Sequence, residues 1–312
     1  MNPSSWRGVI PAITTPFLHD LSLDLSFVKK HVSILADAGC TGIVTPGSLG
    51  EGATLSLEEK RRLWSACIES LKGRIPTIAA VAAASTAEAI TIAKTAQATG
   101  CQGLMVLPPY LYKGSWREVR VHFAAIISAT PLSCMLYNNP IAYGVDITPA
   151  QVVELAAAHA NLHAVKESSG DVRRITAIRA EVGGLKPSRE FTILVGMDDL
   201  IVEGVAAGAE GWIAGLVNAL PRESVRLFNL AVAIAADPTV RTELDRLYRW
   251  FLPLLRMDTT YDFVQLIKLV QFATGLSGEG GANVRPPRLL PEGPELRSVQ
   301  QAISRFLSEP RL

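Results

Sequence analysis

The feature that most constrains the fold is a recurring joint between a helix and a strand. It occurs at residues 36–48 (ADAGCTGIVTPGS), 96–109 (AQATGCQGLMVLPP) and 206–218 (AAGAEGWIAGLVN). In each segment a helical run ends at a glycine suited to a C-cap, two residues separate it from a second glycine, and an apolar run begins. The first two joints are separated by two units of about 30 residues, the usual size of a strand–helix repeat. The sequence therefore predicts repeated strand–helix units.

Apolar runs predict eight strands, and amphipathic stretches lie between them. The strands are expected at residues 9–15, 42–45, 76–81, 103–107, 133–137, 162–165, 191–195 and 211–216. Ser56 with Glu59 and Ser85 with Glu88 match the capping box of a helix start, and further helices are expected at residues 26–38, 115–129, 149–159, 171–182, 198–207 and 221–236. Continuous rather than alternating apolar strands indicate a parallel sheet covered by helices. Eight units favour a (β/α)8 TIM barrel over an open doubly wound sheet.

The pattern changes after about residue 240. Three helical patterns follow without a strand between them, at residues 242–255, 261–274 and 294–307. A Gly/Pro-rich loop separates the last two, and its Pro286-Pro287 pair is expected to hold the chain against another part of the protein. We expect a barrel domain over residues 1–237 and a C-terminal helical extension over residues 238–312.

Composition excludes several classes of partner. The chain is 48% hydrophobic and 19% charged, with a formal charge of +1, so it has no electrostatic footprint for a nucleic acid or an anionic membrane. We expect a cytoplasmic protein, because neither a signal peptide nor an apolar run of about 18 residues is present. The cysteines and histidines lack metal-ligand spacing, and the four cysteines are predicted to be reduced core thiols.

Polar residues follow several of the predicted strands. Lys166 comes after the sixth strand, Tyr137 ends the fifth, and Tyr110 lies beyond the fourth. The loop 47–52 (GSLGEG) follows the second strand. In such a barrel the carboxyl ends of the strands form the active site. A desolvated amine can attack a carbonyl, a phenol can move the proton, and backbone amides can hold a carboxylate. This set predicts a site for a 2-oxo acid.

Each of these residues also has a structural interpretation. Lys166 can pair with Glu167. Tyr137 can be a packing residue at the barrel rim, and Tyr110 a loop or subunit-contact residue. The glycine-rich loop can be only a tight turn, with Glu51 as a salt-bridge or helix-entry residue, which we expect rather than a catalytic acid. Their joint occurrence favours an active site.

Five motifs together resemble one known family. They are GVIPAITTPF from residue 8, Gly-x-x-Gly-Glu at 47–51, Tyr-Asn-x-Pro at 137–140, Lys-Glu at 166–167 and VGMDD at 195–199. Over about residues 6–300 the chain resembles the N-acetylneuraminate lyase / dihydrodipicolinate synthase family, which are Schiff-base enzymes built on a TIM barrel.

The resemblance implies a role for each matching residue. Lys166 is the Schiff-base lysine, and Tyr137 moves protons around it. Ser48 joins a proton relay and helps to bind the substrate carboxylate, and Tyr110 reaches across a dimer interface into the neighbouring site. The residues expected to bind substrate are Gly47, Ser48, Leu49, Gly196 and Ile213. The resemblance implies no metal or organic cofactor, a small 2-oxo acid as substrate, and a homotetramer built as a dimer of dimers.

Two departures from the family pattern bear on the substrate. Ala142 stands where synthases have an arginine that binds a carboxylate, which weakens a synthase interpretation. Leu49 stands where a second hydroxyl residue is usual.

The motif YNNPIAYG at residues 137–144 and the loop 47–52 look like a branch that acts in hydroxyproline breakdown. Its members convert 1-pyrroline-4-hydroxy-2-carboxylate to 2-oxoglutarate semialdehyde with loss of water and ammonia. The alternatives are a dihydrodipicolinate synthase, a 2-keto-3-deoxy-sugar-acid aldolase or dehydratase, and a 2-oxo-acid sensor without turnover.

Overall fold

The structure, a computed structural model, describes residues 1–109, 111–184 and 190–308. Its framework is a sheet of eight parallel strands: β1 Gly8–Pro11, β2 Ile43–Thr45, β3 Thr77–Val81, β4 Gly103–Val106, β5 Ser133–Asn138, β6 Leu162–Glu167, β7 Thr192–Val195 and β8 Gly211–Ala214. The hydrogen-bonded order is β1-β8-β7-β6-β5-β4-β3-β2. A parallel bridge between Ala12 and Val44 joins the regions after β1 and within β2, so the sheet curves round to near closure. The predicted (β/α)8 TIM barrel is confirmed.

Helices alternate with the strands and cover the barrel. They are α1 Leu25–Asp37, α2 Leu57–Leu71, α3 Thr86–Thr99, α4 Trp116–Ile127, α5 Pro140–Tyr143, α6 Pro149–Ala158, α7 Arg173–Val182, α8 Ile201–Ala206 and α9 Pro221–Ala233. The capping box at Ser56 and Glu59 forms as predicted, and Ser85 accepts a hydrogen bond from the amide of Glu88. These side chains satisfy amides that have no partner within the first turn of a helix.

The C-terminal extension is helical, as expected. It contains α10 Arg241–Leu255, α11 Phe263–Ala273 and α12 Gly293–Ser308. A 3-10 turn, Arg256–Thr259, joins α10 to α11. We call residues 238–308 the appendage; its division from the barrel at residue 238 stays a prediction.

The Gly/Pro-rich loop between α11 and α12 lies against the barrel. The Arg285 guanidinium donates hydrogen bonds to the carbonyls of Leu21 and Thr54 and to the carboxylate of Glu59, at 2.6–3.2 Å. The Arg285 guanidinium also stacks over Phe17, 4.6 Å from its ring centroid. The loop is therefore held in place, as the proline pair indicated.

Glu51 forms a buried ion pair with the appendage. The Lys268 Nζ donates to Glu51 Oε1 at 2.5 Å and to the carbonyl of Asn283 at 2.6 Å. The amide of Arg285 donates to the other carboxylate oxygen at 2.9 Å. Glu51 therefore connects the loop after β2 to α11, in the structural role expected for it.

Two strands differ from their predicted ends in ways that matter for the site. β6 extends through Lys166 and Glu167, which pair in register with β5 and β7. Lys166 therefore lies within the strand and not after it. β8 ends at Ala214 and not at residue 216, because Gly215 and Leu216 donate their amides to the Asp198 carboxylate.

The remaining sequence expectations concern cysteines, membranes and metals. All four cysteines are free and buried, as predicted for core thiols. In the described part of the chain, none of the helices combines the length and apolar character needed to cross a membrane. Within the same residues, His, Cys, Asp and Glu side chains do not gather in a group of three or more suited to a metal ion.

Candidate active site

Lys166 and Tyr137 are neighbours at the carboxyl end of the barrel. They are register partners on β6 and β5, and the Lys166 Nζ lies 4.1 Å from the centroid of the Tyr137 ring. Lys166 is only 7% exposed. Burial lowers the pKa of Lys166 from its usual value, although the nearby Asp258, Tyr143 and Asp198 oppose this. A larger fraction of the amine is therefore neutral and available as a nucleophile.

The Tyr137 hydroxyl is held by Asn139, the residue that caps the next helix. Asn139 Nδ2 donates a hydrogen bond to Tyr137 Oη at 3.0 Å, and its Oδ1 accepts one from the amide of Ala142. Burial raises the pKa of the Tyr137 phenol. The phenol therefore keeps its proton at neutral pH and can donate it to a bound ligand.

Tyr143 is a site residue that the sequence interpretation left without a role. Asn139 caps α5, Pro140 occupies its first turn, and Gly144 ends it in the left-handed region with φ +67°, which are the residue preferences of a short helix. This single turn brings the Tyr143 hydroxyl back to a hydrogen bond with Ser48 Oγ. The only sequence signal was the position of Tyr143 inside the tyrosine motif.

Three hydroxyl groups therefore lie in a row beside the lysine. The rings of Tyr137 and Tyr143 meet edge to face, with centroids 5.7 Å apart and an interplanar angle of 84°. Hydrogen bonding between the two phenols affects the pKa of both. Burial raises the pKa of Tyr143 as well. Tyr137, Tyr143 and Ser48 thus offer a path for protons that lies within a single chain.

These groups border one cavity of about 450 Å³. Its lining includes seven of the residues singled out from the sequence: Gly47, Ser48, Leu49, Tyr137, Lys166, Gly196 and Ile213. Tyr110, the eighth, lies outside the described residues. A cavity of this size holds a small molecule.

The loop after β2 places its backbone at the cavity because it is tightly folded. A Cβ on Gly52 would lie 2.4 Å from the carbonyl oxygen of Pro46. Thr15 Oγ1 donates to the carbonyl of Gly50 at 2.6 Å. The loop is thus a tight turn, and it also presents Ser48 and Leu49 to a ligand.

Gly196 leaves room for the lysine. A Cβ at this position would lie 1.9 Å from Ser168 Oγ and 2.6 Å from Lys166 Cε. The stem of Lys166 therefore occupies the space that a larger residue would fill.

The suggested pairing of Lys166 with Glu167 is not observed. Glu167 accepts hydrogen bonds from Asn138 Nδ2 at 3.0 Å and from the amide of Ser169 at 2.6 Å. Successive residues of a strand point to opposite faces, so Glu167 cannot accompany Lys166 into the cavity.

Two aspartates lie near the site and differ in their surroundings. Asp198, in the VGMDD motif, accepts hydrogen bonds from Trp212 Nε1 and from the amides of Gly215 and Leu216 at 2.6–3.2 Å. It is fully buried, and burial raises its pKa to about 6. Asp258 instead lines the cavity, from the turn between α10 and α11. Sequence reasoning missed Asp258 because the appendage carries none of the family motifs.

The cavity is lined by an arginine, Arg288, at a position that the sequence did not indicate. Ala142 lines the cavity where synthases have an arginine. Arg288, from the loop between α11 and α12, lines the same cavity. A guanidinium is therefore supplied by a different element of the fold.

Comparison with protein families finds one match across almost the whole chain. Residues 5–303 match the family described as the dihydrodipicolinate synthetase family. A DapA-like lyase of Thermofilum pendens, described as uncharacterized, is 31% identical over 97% of this chain and 96% of its own length. A 4-hydroxy-tetrahydrodipicolinate synthase of Agrobacterium fabrum is 34% identical over 70% of this chain and 72% of its own length.

Solved structures give the same result. The dihydrodipicolinate synthase DapA-2 of Bacillus anthracis is 29% identical and superposes with a TM-score of 0.87, covering 98% of this chain and 99% of that one. A prophage protein of the dihydrodipicolinic acid synthase family from E. coli K12, solved in complex with pyruvate, is 27% identical with a TM-score of 0.87, covering 97% and 99%.

Proposed function

The chain belongs to the dihydrodipicolinate synthetase family and is a class I lyase, and from this we propose that Lys166 forms a Schiff base with C2 of a small 2-oxo acid or of its cyclic imine. The observation that carries the proposal is the buried Lys166 amine against Tyr137 in the cavity. The pyruvate complex of the E. coli relative supports a 2-oxo acid as ligand.

The neighbouring groups then have defined tasks. The backbone and hydroxyl of the Ser48–Leu49 turn bind the substrate carboxylate. Tyr137 moves the proton while the Lys166 amine adds to C2 and water or an amine leaves. Tyr143 and Ser48 continue the proton path from Tyr137.

The substrate we propose is 1-pyrroline-4-hydroxy-2-carboxylate. The Lys166 amine adds to C2 of the ring imine, and the bond from C2 to the ring nitrogen breaks, which leaves a lysine iminium and a free amine on C5. The iminium accepts the electrons of a C3–H bond as the proton leaves. The resulting enamine then expels the C4 oxygen as water.

Product release follows from the same intermediate. A proton shift from C5 to C3 converts the C5 amine to an enamine, and a second shift, from its nitrogen to C4, gives the imine. Hydrolysis of that imine frees ammonia. Hydrolysis of the lysine iminium frees 2-oxoglutarate semialdehyde. The balance over the whole sequence is one water consumed and one ammonia released for each substrate.

The lining of the cavity supports a substrate with a single carboxylate. Ala142 stands where the synthases have an arginine. Leu49, Ile141 and Ile213 make much of the cavity wall apolar. A compact hydroxylated ring needs one anion site and one polar contact at C4. The Ser48–Leu49 turn provides the first of these.

Arg288 favours a second candidate function. A guanidinium on the cavity wall can bind a second carboxylate through two hydrogen bonds, as a dicarboxylate product requires. Several relatives, including that of Agrobacterium fabrum, are named 4-hydroxy-tetrahydrodipicolinate synthases. We therefore keep 4-hydroxy-tetrahydrodipicolinate synthase as the alternative.

The two candidates are separated by product analysis. Purified enzyme is incubated with 1-pyrroline-4-hydroxy-2-carboxylate, and ammonia is measured. Parallel reactions contain pyruvate with aspartate semialdehyde, or a 2-keto-3-deoxy-sugar acid. The Lys166→Ala variant is the inactive control. We expect ammonia release that depends on Lys166. Condensation of pyruvate with the aldehyde and no ammonia would establish the synthase. Cleavage or dehydration of only the sugar acid would establish a 2-keto-3-deoxy-sugar-acid aldolase or dehydratase. Schiff-base formation without any turnover would indicate a 2-oxo-acid sensor.

The assembly is part of the same proposal. The family resemblance implies a homotetramer built as a dimer of dimers, which light scattering of the purified protein tests directly. A monomer of 33.5 kDa at working concentration would contradict it.

A further inference from the structure

Asp258 reaches the cavity from the appendage on a turn that is closed by its own side chains. In the 3-10 turn Arg256–Thr259, the Thr259 hydroxyl donates to the carbonyl of Arg256 at 2.9 Å. The hydroxyl of Thr260 donates to the carbonyl of Met257 at 3.1 Å. These bonds hold the backbone on both sides of Asp258.

The Asp258 carboxyl lies over the carboxyl ends of β7 and β8. A Cβ on Gly215 would be 2.5 Å from Asp258 Oδ1, so the carboxyl occupies the space that the glycine leaves open. The amide of Asp198 donates to Oδ2 at 3.4 Å. Among the described residues, this long contact is the only hydrogen bond to the carboxyl, which therefore has bonding capacity left for a ligand.

Asp198 shows what a purely structural aspartate looks like in the same region. Its carboxylate has three hydrogen-bond donors and no exposure. Asp258 has one long contact and faces the cavity that contains Lys166. Asp258 is only partly buried, and its carboxyl lies at the cavity that contains Lys166, so it is available to a bound substrate.

The surroundings of Asp258 favour its protonated form. Burial and the neighbouring Asp198 raise the pKa of Asp258 well above its usual value, and Lys166 offsets only part of this. A raised pKa favours the protonated form of the carboxyl, which can serve as a proton donor.

The two sides of the cavity also differ in the groups that they offer. Tyr137 and Tyr143 enter from β5 and α5, whereas Asp258 enters from above β7 and β8. A substrate bound to Lys166 on β6 therefore has the phenols on one side and Asp258 on the other.

From this arrangement we propose that Asp258 is a catalytic residue that protonates the C4 oxygen of the Lys166-bound substrate as the C4–O bond breaks. The electron pair of that bond goes to oxygen, the proton of the Asp258 carboxyl joins it, and water leaves. The electrons of the enamine form the new C3–C4 double bond, and Asp258 is left as a carboxylate beside the restored iminium. This inference rests on the proposed function, and it adds a separate acid for the elimination step.

The test uses Asp258→Asn, which keeps the size of the side chain but cannot supply the proton. Three quantities are measured: borohydride trapping of pyruvate on Lys166, exchange of the pyruvate C3 hydrogens in heavy water, and ammonia release from 1-pyrroline-4-hydroxy-2-carboxylate. Pyruvate has no C4 oxygen, so the first two reactions require Lys166 but no acid at C4. Asp262→Asn makes the same change four residues later in the appendage, outside the cavity lining.

We expect Asp258→Asn to trap and exchange pyruvate within about threefold of wild type, while ammonia release falls about 100- to 10,000-fold. Asp262→Asn should leave all three unchanged. Formate added to Asp258→Ala should restore part of the ammonia release, because a small acid can enter the space that the side chain left. Trapping by these variants also shows that the barrel and Lys166 are intact.

Two results would overturn the role of Asp258. One is ammonia release by Asp258→Asn within about threefold of wild type. The other is an equal loss of trapping, exchange and ammonia release, which would place Asp258 at Schiff-base formation. Failure of the proposed function looks different, because it is seen in the wild type. If wild-type enzyme traps pyruvate but releases no ammonia, 1-pyrroline-4-hydroxy-2-carboxylate is not the substrate, and the leaving group on which Asp258 acts is absent.

Discussion

Lys166 and Tyr137 lie directly opposite each other on adjacent parallel strands, with the amine 4.1 Å from the centroid of the aromatic ring. Their separation is set by the strand register of the barrel and not by a loop. Sites held on strands are positioned more firmly than sites on loops. The pair is therefore ready for chemistry before a substrate arrives.

Removing only the Tyr137 hydroxyl should separate its chemical role from its packing role. Tyr137→Phe keeps the ring against Lys166 but removes the proton donor. We expect kcat to fall about 100- to 10,000-fold, with pyruvate still trapped on Lys166 at a lower rate. Tyr112→Phe, at an exposed tyrosine outside the cavity, is the control. Unchanged kcat in Tyr137→Phe would assign Tyr137 to packing alone.

The pH dependence of Schiff-base formation should report the state of Lys166. Only the neutral amine attacks a carbonyl, and burial lowers the pKa of Lys166 below 10.5. The rate of borohydride trapping with saturating pyruvate should therefore rise with pH and level off at a midpoint below 10.5. A midpoint at or above this value would mean that the amine is not desolvated in solution.

The fold was predictable from sequence because each strand–helix unit carries its own local signals. Glycine caps, capping boxes and continuous apolar runs recur along the chain and act within a few residues of one another. Lys166 and Tyr137 were predictable for the same reason, because each lies at the end of an apolar run. The ends of β6 and β8 were less predictable, because they depend on hydrogen bonds to residues distant in sequence, such as those from Gly215 and Leu216 to Asp198.

The site residues missed from sequence owe their positions to non-local contacts. Asp258 and Arg288 belong to the appendage, whose position on the barrel depends on pairs such as Lys268 with Glu51. Tyr143 meets Ser48 across 95 positions of sequence, through a helix of a single turn. Local patterns contain no information about such distant pairings.

A methyl group at position 196 should disturb the lysine without reaching the substrate carboxylate. The Cβ of Gly196→Ala would meet Lys166 Cε at 2.6 Å and Ser168 Oγ at 1.9 Å, so the lysine must move. We expect trapping of pyruvate to slow at least about tenfold, because small displacements of a catalytic group are costly. Gly183→Ala, where a Cβ has ordinary contacts of 3.4 Å or more, should trap normally. Normal trapping in Gly196→Ala would show that Lys166 tolerates the shift.

Ser48 and Tyr143 should act as one unit if they form a proton path. Ser48→Ala and Tyr143→Phe each break the same hydrogen bond. We expect kcat of the double variant to be close to that of the more impaired single variant, since residues that act together have non-additive effects. Steady-state kcat values of the four proteins complete the cycle. Losses that multiply would show that the two hydroxyls act independently.

The buried pair between Lys268 and Glu51 should contribute far more to stability than an exposed pair of similar geometry. Both side chains are almost fully buried, 4% and 0% exposed, so Lys268→Met leaves an unpaired carboxylate in the interior. We expect the free energy of unfolding to fall by about 3–5 kcal/mol in a urea titration. The control is Lys29→Met, whose pair with Glu69 spans 2.7 Å but is 48% and 62% exposed; water screens such a pair, so the change should be at most about 1 kcal/mol. Equal losses in the two variants would show that burial does not set the contribution of the Lys268–Glu51 pair to stability. That pair would then not be the contact that holds the appendage, including Asp258, on the barrel.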